Sequence, residues 1–147
     1  MSYANTYQSS LKQPEQFWQQ QAELIDWFKK PTQILTQDEN NLYRWYVDGE
    51  LNTCYLALDY HVENGRGEQV ALIYDSPVTG QKQQYTYQQL LEETARFAGV
   101  LKNLGVEKGD RVIIYMPMIP QTVFAMLACA RLGAVHSVVL GDLQRTN

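Results

Sequence analysis

The second half of the chain alternates between short apolar runs and amphipathic segments. Val70–Tyr74, Arg111–Tyr115 and Ala134–Leu140 are rich in β-branched residues, which predicts three strands. Ser76–Gly80 carries turn residues, and Gln83–Tyr85 is predicted to be the return strand of a hairpin. The pattern therefore places a hairpin before two further strands.

Two amphipathic helices are predicted between these strands. Thr86 and Gln89 form a capping-box signature at the start of the first helix, and Gly105 ends it. Pro120 suits the first turn of the second helix, and Gly133 ends it. The predicted buried faces consist of Leu90, Thr94, Phe97, Leu101 and Leu104 in the first helix, and of Val123, Phe124, Leu127 and Arg131 in the second.

The order strand, helix, strand over residues 111–140 predicts a parallel, right-handed βαβ unit. Strands that are apolar along nearly their whole length are covered on both faces in doubly wound sheets. The predicted fold class is therefore α/β with an incomplete doubly wound sheet, because only the polar residues 141–147 follow the last strand. Further chain or a partner is expected to cover this sheet.

The first 64 residues are predicted to form a mainly helical leader. Pro14 suits the first turn of a helix that Pro31 stops, and a polar loop is predicted over residues 32–41. Leu42–Val47 is predicted to be a short strand that ends at the turn Asp48-Gly49. Further along, Asn52 is predicted to cap a second helix, which Asn64-Gly65 ends. The apolar faces of the two helices are Phe17, Trp18, Leu24, Ile25 and Phe28, and Leu51, Tyr55, Leu58 and Val62.

These patterns divide the chain into three parts. They are a leader at residues 1–64, the start of a core domain at residues 65–141, and an atypical tail at residues 142–147. The change from a polar, aromatic-rich first half to a regular alternation of strands and helices motivates the first boundary.

Composition excludes several classes of function. The net charge is −4 and basic residues form no run, so nucleic acid is not expected as a partner. No stretch approaches the roughly 20 apolar residues that a membrane span needs, and the N-terminus has no signal or transit pattern. A cytoplasmic location is therefore expected. Cys54 and Cys129 have no ligand spacing and are predicted to be reduced, buried thiols, and no metal site is expected.

Three long strings resemble one family of enzymes. They are LNTCYLALDYHVENGRGEQVALIYDSPVTG, which begins at Leu51, GVEKGDRVIIYMPMIPQTVFAMLACARLGAVHSVV, and the leader string YQSSLKQPEQFWQQQAELIDWFKKP. All three are similar to segments near the start of AMP-forming short-chain acyl-CoA synthetases of the propionyl/acetyl-CoA type, in the adenylate-forming superfamily. The resemblance covers about Tyr7 to Gly141. PEQFW and RWYVDGELNTCYLALD lean towards the propionyl-CoA synthetases.

The resemblance implies an ATP- and Mg²⁺-dependent ligase that converts a short-chain carboxylate to an acyl-adenylate and then to an acyl-CoA. It implies ATP, Mg²⁺ and CoA as cofactors of the parent enzyme, and the N-terminal domain of adenylate-forming enzymes as the fold. The family's phosphate loop, ribose-binding Asp, hinge and catalytic Lys have no counterpart here. SPVTGQK at Ser76–Lys82 lacks the glycines of a phosphate loop. No catalytic residue is therefore predicted, and the chain alone is expected to be inactive and to need no cofactor.

One position of a ligand-binding motif is present. The family continues its strand as VVFGGF and brings the FGG residues near CoA, whereas this chain reads Leu140, Gly141, Asp142, Leu143. Only Gly141 matches, and glycine allows close approach of the backbone to a ligand. The resemblance therefore places Gly141 in the vicinity of CoA, and Asp142 adds negative charge where phosphate is expected.

Several ionisable residues favour structural roles. Asp59 and His61 are two positions apart on a predicted helix, so they lie on different faces and are not expected to share a metal or a proton. His136 is interpreted as a core or strand-end residue. Glu92 and Glu93 are adjacent on a helix and are interpreted as a solvated face, because a catalytic acid/base pair has to converge on one point.

Two local features allow more than one interpretation. Trp18, Trp27 and Trp45 form either an aromatic cage or, as we favour, the packing of the leader onto the core. Pro117–Pro120 follows the carboxyl end of a strand, where parallel sheets bind ligands, and is either a rigid turn or part of a binding site.

Three hypotheses follow for the chain as a whole. The favoured one is a catalytically incomplete N-terminal segment of a short-chain acyl-CoA ligase, with propionate as the acid and acetate as the alternative. The second is a non-enzymatic protein that binds another ligase subunit through its unpaired strand or its leader helix. The third is a product that has no stable fold.

Overall fold

The computed structural model describes residues 2–140, with the backbone alone at Leu140. These residues form two compact units that divide between Leu51 and Asn52. The assignment of residues 1–64, 65–141 and 142–147 to three domain parts stays a prediction, and the tail lies outside the described residues.

The first unit consists of two helices and a small hairpin. α1 spans Tyr3–Lys12 and α2 spans Pro14–Ala22, with Pro14 in the first turn as predicted. β1 (Leu35–Gln37) and β2 (Tyr43–Trp45) pair antiparallel. The predicted strand around Tyr43 is therefore confirmed, whereas α1 had no counterpart in the sequence prediction.

Two expectations for this unit are wrong. The helix that begins at Pro14 ends at Ala22 and does not continue to Pro31, because the Trp27 indole N–H donates to the Ala22 carbonyl at 2.8 Å and the chain turns there. Leu24 therefore lies outside the helix and is 82% exposed. The predicted polar loop at residues 32–41 contains β1, which is stabilised by its pairing with β2 rather than by local sequence.

Asp48 gives the first unit a pH-dependent element. Its carboxylate accepts hydrogen bonds from the backbone N–H groups of Thr32 and Gln33 and from the Thr32 hydroxyl. The Thr32 hydroxyl and these N–H groups lower the pKa of Asp48 to about 2. Because the folded-state pKa lies below the unfolded one, the stabilisation is present above about pH 4 and is lost as the pH falls towards 2.

Between about pH 4 and pH 2, the free energy of unfolding of the first unit is expected to fall less steeply with decreasing pH in Asp48→Asn than in the wild type. Urea unfolding of wild type and variant across this range, monitored by tryptophan fluorescence, measures the effect. Asp26→Asn is the control, because the described residues make no hydrogen bond to the Asp26 carboxylate. If the free energy of unfolding falls equally with pH in the Asp48 variant and in the wild type, the Asp48 carboxylate is not the source of this pH dependence.

The second unit begins with a widened helical segment. It contains π-helical turns at Tyr55–Asp59 and Val62–Arg66, and Gly65 adopts a left-handed φ of 76° near its end. Asn52 caps the segment as predicted, since its side-chain oxygen accepts the N–H groups of Cys54 at 2.9 Å and Tyr55 at 3.1 Å.

The remaining elements follow the predicted order. They are β3 (Val70–Asp75), β4 (Lys82–Thr86), α3 (Tyr87–Asn103), β5 (Arg111–Met116), α4 (Pro120–Leu132) and β6 (Val135–Leu140). β3 and β4 form the hairpin, and β5 and β6 pair in parallel from Arg111–Val135 to Met116–Leu140. Both sides of the Thr86–Gln89 capping box are present. Gly133 ends α4 with a left-handed φ of 73°, so the local signals that predicted these boundaries are confirmed.

The core of this unit consists of two adjoining clusters. One contains Cys54, Leu58, Leu90 and Phe124, and the other contains Ile114, Ala125, Cys129 and Ala134. Both clusters contain residues of α4, which are Phe124 in the first and Ala125 and Cys129 in the second. α4 therefore packs against the widened helical segment and α3 on one side and against the β5–β6 pair on the other. Leu104 was predicted to be buried but is 76% exposed, because it is the cap residue after the last turn of α3.

The chain is a mixed α/β protein, which confirms the coarse fold class. Its described strands form three two-stranded sheets, so the doubly wound sheet stays a prediction. α4 covers one face of the β5–β6 pair, whereas the other face is exposed over residues 2–140. Within this part of the chain, no helix is both long and apolar enough to span a membrane.

Candidate functional site

The carboxyl edge of the β5–β6 pair is the candidate binding edge. β5 ends at Met116, directly opposite Leu140 at the end of β6, and α4 begins at Pro120 beside them. This is the edge at which parallel α/β sheets bind ligands. Gly141, the residue predicted to lie near CoA, follows Leu140 but lies outside the described residues, so its role stays a prediction.

Hydrogen bonds join the Pro117–Pro120 loop at this edge to the start of α4. The Pro117 carbonyl accepts the Thr122 hydroxyl at 2.7 Å and the Ile119 N–H at 2.9 Å, and Thr122 and Pro120 are buried. Met118 projects outwards and is 73% exposed. These contacts give the loop the geometry of a rigid turn. Because its four residues carry no ionisable group, the loop can position a ligand but cannot transfer a proton.

A part-buried ion pair lies at the opposite end of α4. The Arg131 guanidinium donates two hydrogen bonds to the Asp59 carboxylate, at 2.7 and 2.9 Å, and contacts the Cys54 sulfur at 3.5 Å. The Asp59 hydrogen bonds raise the pKa of Arg131 above its ordinary value. Asp59 and Arg131 side chains are only 17% and 30% exposed, so the pair is largely withdrawn from water.

Asn52 extends this polar cluster to the backbone. Its side-chain N–H₂ group donates to the Ala130 carbonyl at 3.1 Å and to the Arg131 carbonyl at 3.2 Å. Those carbonyls lie in the last turn of α4, where helical partners are missing. Asn52 therefore caps the start of one helical segment and the end of another, and it fixes the two segments together.

We expect Asn52→Ala to lower the free energy of unfolding of the second unit by about 2 kcal/mol, because a cap and part-buried carbonyls lose their partners together. Chemical unfolding followed by far-UV circular dichroism measures the change. Asn64→Ala is the matched control, since Asn64 is exposed and makes one local hydrogen bond, to the Tyr60 carbonyl. Equal losses for the two variants would contradict the bridging role of Asn52.

The two cysteines are buried and unpaired, as predicted. Cys54 and Cys129 are 0% exposed, and burial is the main cause that raises the pKa of each thiol. A raised pKa leaves little thiolate at neutral pH, which disfavours a nucleophilic or redox role.

Asp59 and His61 contact different partners in the structure. Asp59 pairs with Arg131, whereas the His61 ring packs against Tyr87 at a centroid distance of 4.6 Å. Burial lowers the pKa of His61, and nearby Arg66 adds to this effect. His136 lies part-buried in β6, opposite Val112, which fits the structural interpretation of that residue.

Other predicted residues also adopt structural roles. Glu92 accepts a hydrogen bond from Gln88, and Glu93 pairs with Arg96 at 2.7 Å, so the two carboxylates do not converge. Ser76–Gly80 forms the hairpin turn, in which the Gly80 N–H donates to the Ser76 carbonyl at 2.8 Å. A strand follows this turn, whereas a phosphate loop leads into a helix.

The aromatic residues of the leader contact one another within the first unit. Trp18 packs edge-on against Trp45 at 5.9 Å, and Trp27 lies 5.5 Å from Tyr46. The Tyr46 hydroxyl donates to the Trp18 carbonyl at 3.0 Å. These contacts join α2 to the β1–β2 hairpin, and packing of the leader onto the core stays a prediction.

A groove of about 310 Å³ lies between β4, α3 and the start of α4. Tyr85, Phe97 and Phe124 form its apolar wall, and the Glu93–Arg96 pair forms its polar rim.

Over residues 2–140, no group of His, Cys, Asp or Glu side chains has a geometry that could hold a metal ion, so the described residues do not fit a Mg²⁺ site.

Sequence reasoning did not find the Asp59–Arg131 pair. The only signal was a single arginine in the otherwise apolar segment PQTVFAMLACARL, which was interpreted as part of a helix face. A charge on a predicted buried face calls for a partner, but the sequence does not say which carboxylate supplies it.

Comparisons with known proteins match both units. The family model described as AMP-binding enzyme matches residues 59–146, and the model described as acetyl-coenzyme A synthetase N-terminus matches residues 3–57. The chain is 50% identical over 139 residues to the human mitochondrial acyl-CoA synthetase short-chain family member 3, covering 95% of this chain and 20% of that protein.

Two bacterial proteins are also similar to this chain over nearly its whole length. An uncharacterized protein of Pseudomonas aeruginosa is 57% identical over 141 residues, covering 96% of this chain and 22% of that protein. The acetyl-coenzyme A synthetase of Desulfatibacillum aliphaticivorans is 46% identical over 139 residues, covering 93% of this chain and 21% of that enzyme. The chain thus spans about a fifth of the length of these relatives.

Proposed function

We propose that this chain is a structural segment of a short-chain fatty acid–CoA ligase. The chain belongs to the family of AMP-binding enzymes and corresponds to the N-terminal part of a short-chain acyl-CoA synthetase. The supporting observation is sequence identity of 46–50% to named synthetases over nearly the whole chain. In such a ligase a carboxylate oxygen attacks the α-phosphorus of ATP and releases pyrophosphate. The thiol of CoA then attacks the acyl carbon and releases AMP.

The described residues support a scaffolding role in that reaction. The Asn52 and Arg131 contacts fix the widened helical segment to the end of α4, and the Thr122–Pro117 hydrogen bond fixes the loop at its beginning. α4 thereby holds the carboxyl edge of β5 and β6 in place. We propose that ATP, Mg²⁺, CoA and the acid bind the complete ligase, with Gly141 near CoA, and that this chain alone is inactive.

The preferred acid is proposed to be propionate, with acetate as the alternative. The leader strings PEQFW and RWYVDGELNTCYLALD lean towards propionyl-CoA synthetases. The ratio of kcat/KM for propionate to that for acetate, measured on a complete ligase containing this chain, tests the preference. A ratio above one supports propionate, and a ratio below one supports acetate.

The two buried, unpaired thiols suit a reducing compartment, and the cytoplasm is the proposed location.

A segment exchange tests the proposed function. This chain would replace the matching segment of the Desulfatibacillum acetyl-coenzyme A synthetase, and formation of the CoA thioester from acid, ATP and CoA would be measured. We expect the chimaera to be active, because the segment supplies the same scaffold. The enzyme with the segment deleted is the control and is expected to be inactive. A folded chimaera without activity would contradict the proposal.

A second candidate function is the binding of a separate ligase subunit, which the exposed apolar face of the β5–β6 pair favours. Co-expression with a full-length synthetase is expected to change the oligomeric state or the activity of that enzyme if this function holds. No change in either would argue against it. Size-exclusion chromatography with near-UV circular dichroism separates both candidates from a chain that does not fold.

A further inference from the structure

Thr122 is a buried polar residue near the start of α4. Among residues 2–140, the buried polar side chains are Thr94 and Thr122, with exposures of 0% and 5%. Burying a hydroxyl is costly unless the hydroxyl finds a hydrogen-bond partner. The Thr122 hydroxyl has such a partner, whereas the Thr94 hydroxyl has none among the described residues. The contact of Thr122 is therefore the one of the two that can hold another part of the chain in place.

The hydrogen bond of Thr122 reaches out of its own helix. A threonine inside a helix usually donates to a carbonyl three or four residues earlier, within the same helix. Thr122 is the third residue of α4, and its hydroxyl donates at 2.7 Å to the Pro117 carbonyl, five residues earlier and before the helix begins. The N-cap residue, Ile119, makes no side-chain hydrogen bond. The Thr122 hydroxyl is thus the side-chain link between α4 and the loop that precedes it.

This link lies beside the carboxyl end of β6. Pro117 has no N–H group and cannot continue the parallel ladder, which ends at the Met116–Leu140 pair. In the sequence Pro117 directly follows Met116, and Gly141 directly follows Leu140. A shift of the loop therefore moves the strand end from which the chain continues to Gly141.

We propose that Thr122 is a positioning residue for the CoA-dependent half-reaction of the ligase. Its hydroxyl fixes the Pro117 carbonyl, and the loop in turn fixes the end of β6 that precedes Gly141. The inference rests on the proposed function, in which Gly141 lies near CoA. Because Thr122 is itself buried, it acts through the backbone of the loop and not by touching a ligand.

The two half-reactions distinguish this role from a general contribution to folding. Adenylate formation needs the acid and ATP but not CoA, and it is measured as acid-dependent exchange of pyrophosphate into ATP. Thioester formation needs CoA as well. A displaced strand end near CoA raises the KM for CoA and leaves the exchange rate unchanged, whereas a poorly folded enzyme loses both activities together.

Substitutions in the chimaera described above test the proposal. Thr122→Val keeps the shape of the side chain but removes the hydroxyl, and we expect it to raise the KM for CoA about fivefold. Thr122→Ala also lacks the hydroxyl and is expected to give the same increase, so it carries the test if valine disturbs the fold. Thr122→Ser keeps the hydroxyl and is expected to retain the KM of the parent chimaera.

Thr94→Val is the matched control. Thr94 is as well buried as Thr122, but its hydroxyl has no partner among the described residues to lose. The substitution is therefore expected to leave the KM for CoA unchanged. An equal rise of this KM in Thr94→Val and Thr122→Val would assign the effect to packing and would overturn the role of the Thr122 hydrogen bond.

Two further results would overturn the proposal. One is an unchanged KM for CoA in both variants that lack the Thr122 hydroxyl, and the other is an equal fall of the exchange and thioester rates in them. Either result in an active parent chimaera leaves the proposed function intact. A folded parent chimaera without activity would contradict the proposed function, and this inference with it.

Discussion

Replacing Arg131 by methionine is expected to lower the free energy of unfolding of the second unit by about 3 kcal/mol. The substitution keeps much of the apolar stem of the side chain but leaves the Asp59 carboxylate, which is only 17% exposed, without its counter-ion. An uncompensated charge in such surroundings is costly. Urea unfolding at neutral pH, monitored by far-UV circular dichroism, gives the difference in free energy.

The Glu93–Arg96 pair supplies the matched control. Its arginine side chain is 67% exposed, and Arg96→Met is expected to cost less than about 1 kcal/mol. Adding Asp59→Asn to Arg131→Met is expected to recover part of the loss, because the remaining group is then uncharged. Equal effects of Arg131→Met and Arg96→Met would show that the Asp59–Arg131 pair has no special role in stability.

Leu58→Ala is expected to cost the second unit about 3 kcal/mol. Leu58 is 1% exposed and packs with Cys54, Leu90 and Phe124, so its removal leaves a cavity where the widened helical segment meets α3 and α4. The loss would be measured by chemical unfolding, with thermal unfolding as a check on the direction. The size of the loss reports how firmly this segment is docked.

Leu104→Ala is the control for this prediction. Leu104 is 76% exposed, and its truncation is expected to change the free energy of unfolding by less than about 0.5 kcal/mol. The comparison also distinguishes the observed structure from the sequence prediction, which placed Leu104 on the buried face of α3. A loss at Leu104 as large as that at Leu58 would support the prediction and contradict the structure.

Local signals predicted most of the second unit. Pro120 and Gly133 mark the ends of α4 through fixed and left-handed backbone angles, and both effects act within a turn of the residue. The apolar runs that became β5 and β6 are likewise local. Their parallel pairing was predictable because the intervening segment is long enough for one crossover helix and too long for a hairpin.

The parts that sequence reasoning missed depend on distant contacts. α2 ends at Ala22 because the Trp27 indole N–H donates a hydrogen bond to the Ala22 carbonyl in the last turn of that helix. The sequence gives no local signal for this end, since no residue near Ala22 is a helix breaker. Asp59 and Arg131 are 72 positions apart, so only the packing of α4 against the widened helical segment brings them together. Propensity and periodicity carry no information at that separation.

The candidate site was predictable only as a location. The structure places Pro117–Pro120 directly after the carboxyl end of β5, as the sequence predicted, whereas ligand binding at this edge stays a prediction. Its chemistry could not follow from the sequence, because these residues are apolar and carry no acid, base or nucleophile. Gly141, the one residue implied to lie near CoA, is outside the described residues.

The central claim is that this chain forms a scaffold of the ligase and not its catalytic centre. The most direct test is to incubate the purified 147-residue chain, with its fold verified by near-UV circular dichroism, with propionate or acetate, ATP, Mg²⁺ and CoA, and to measure acyl-CoA. The account predicts no thioester above the enzyme-free blank, while an active synthetase assayed in parallel forms it. Acid- and ATP-dependent turnover by the chain alone would contradict the claim.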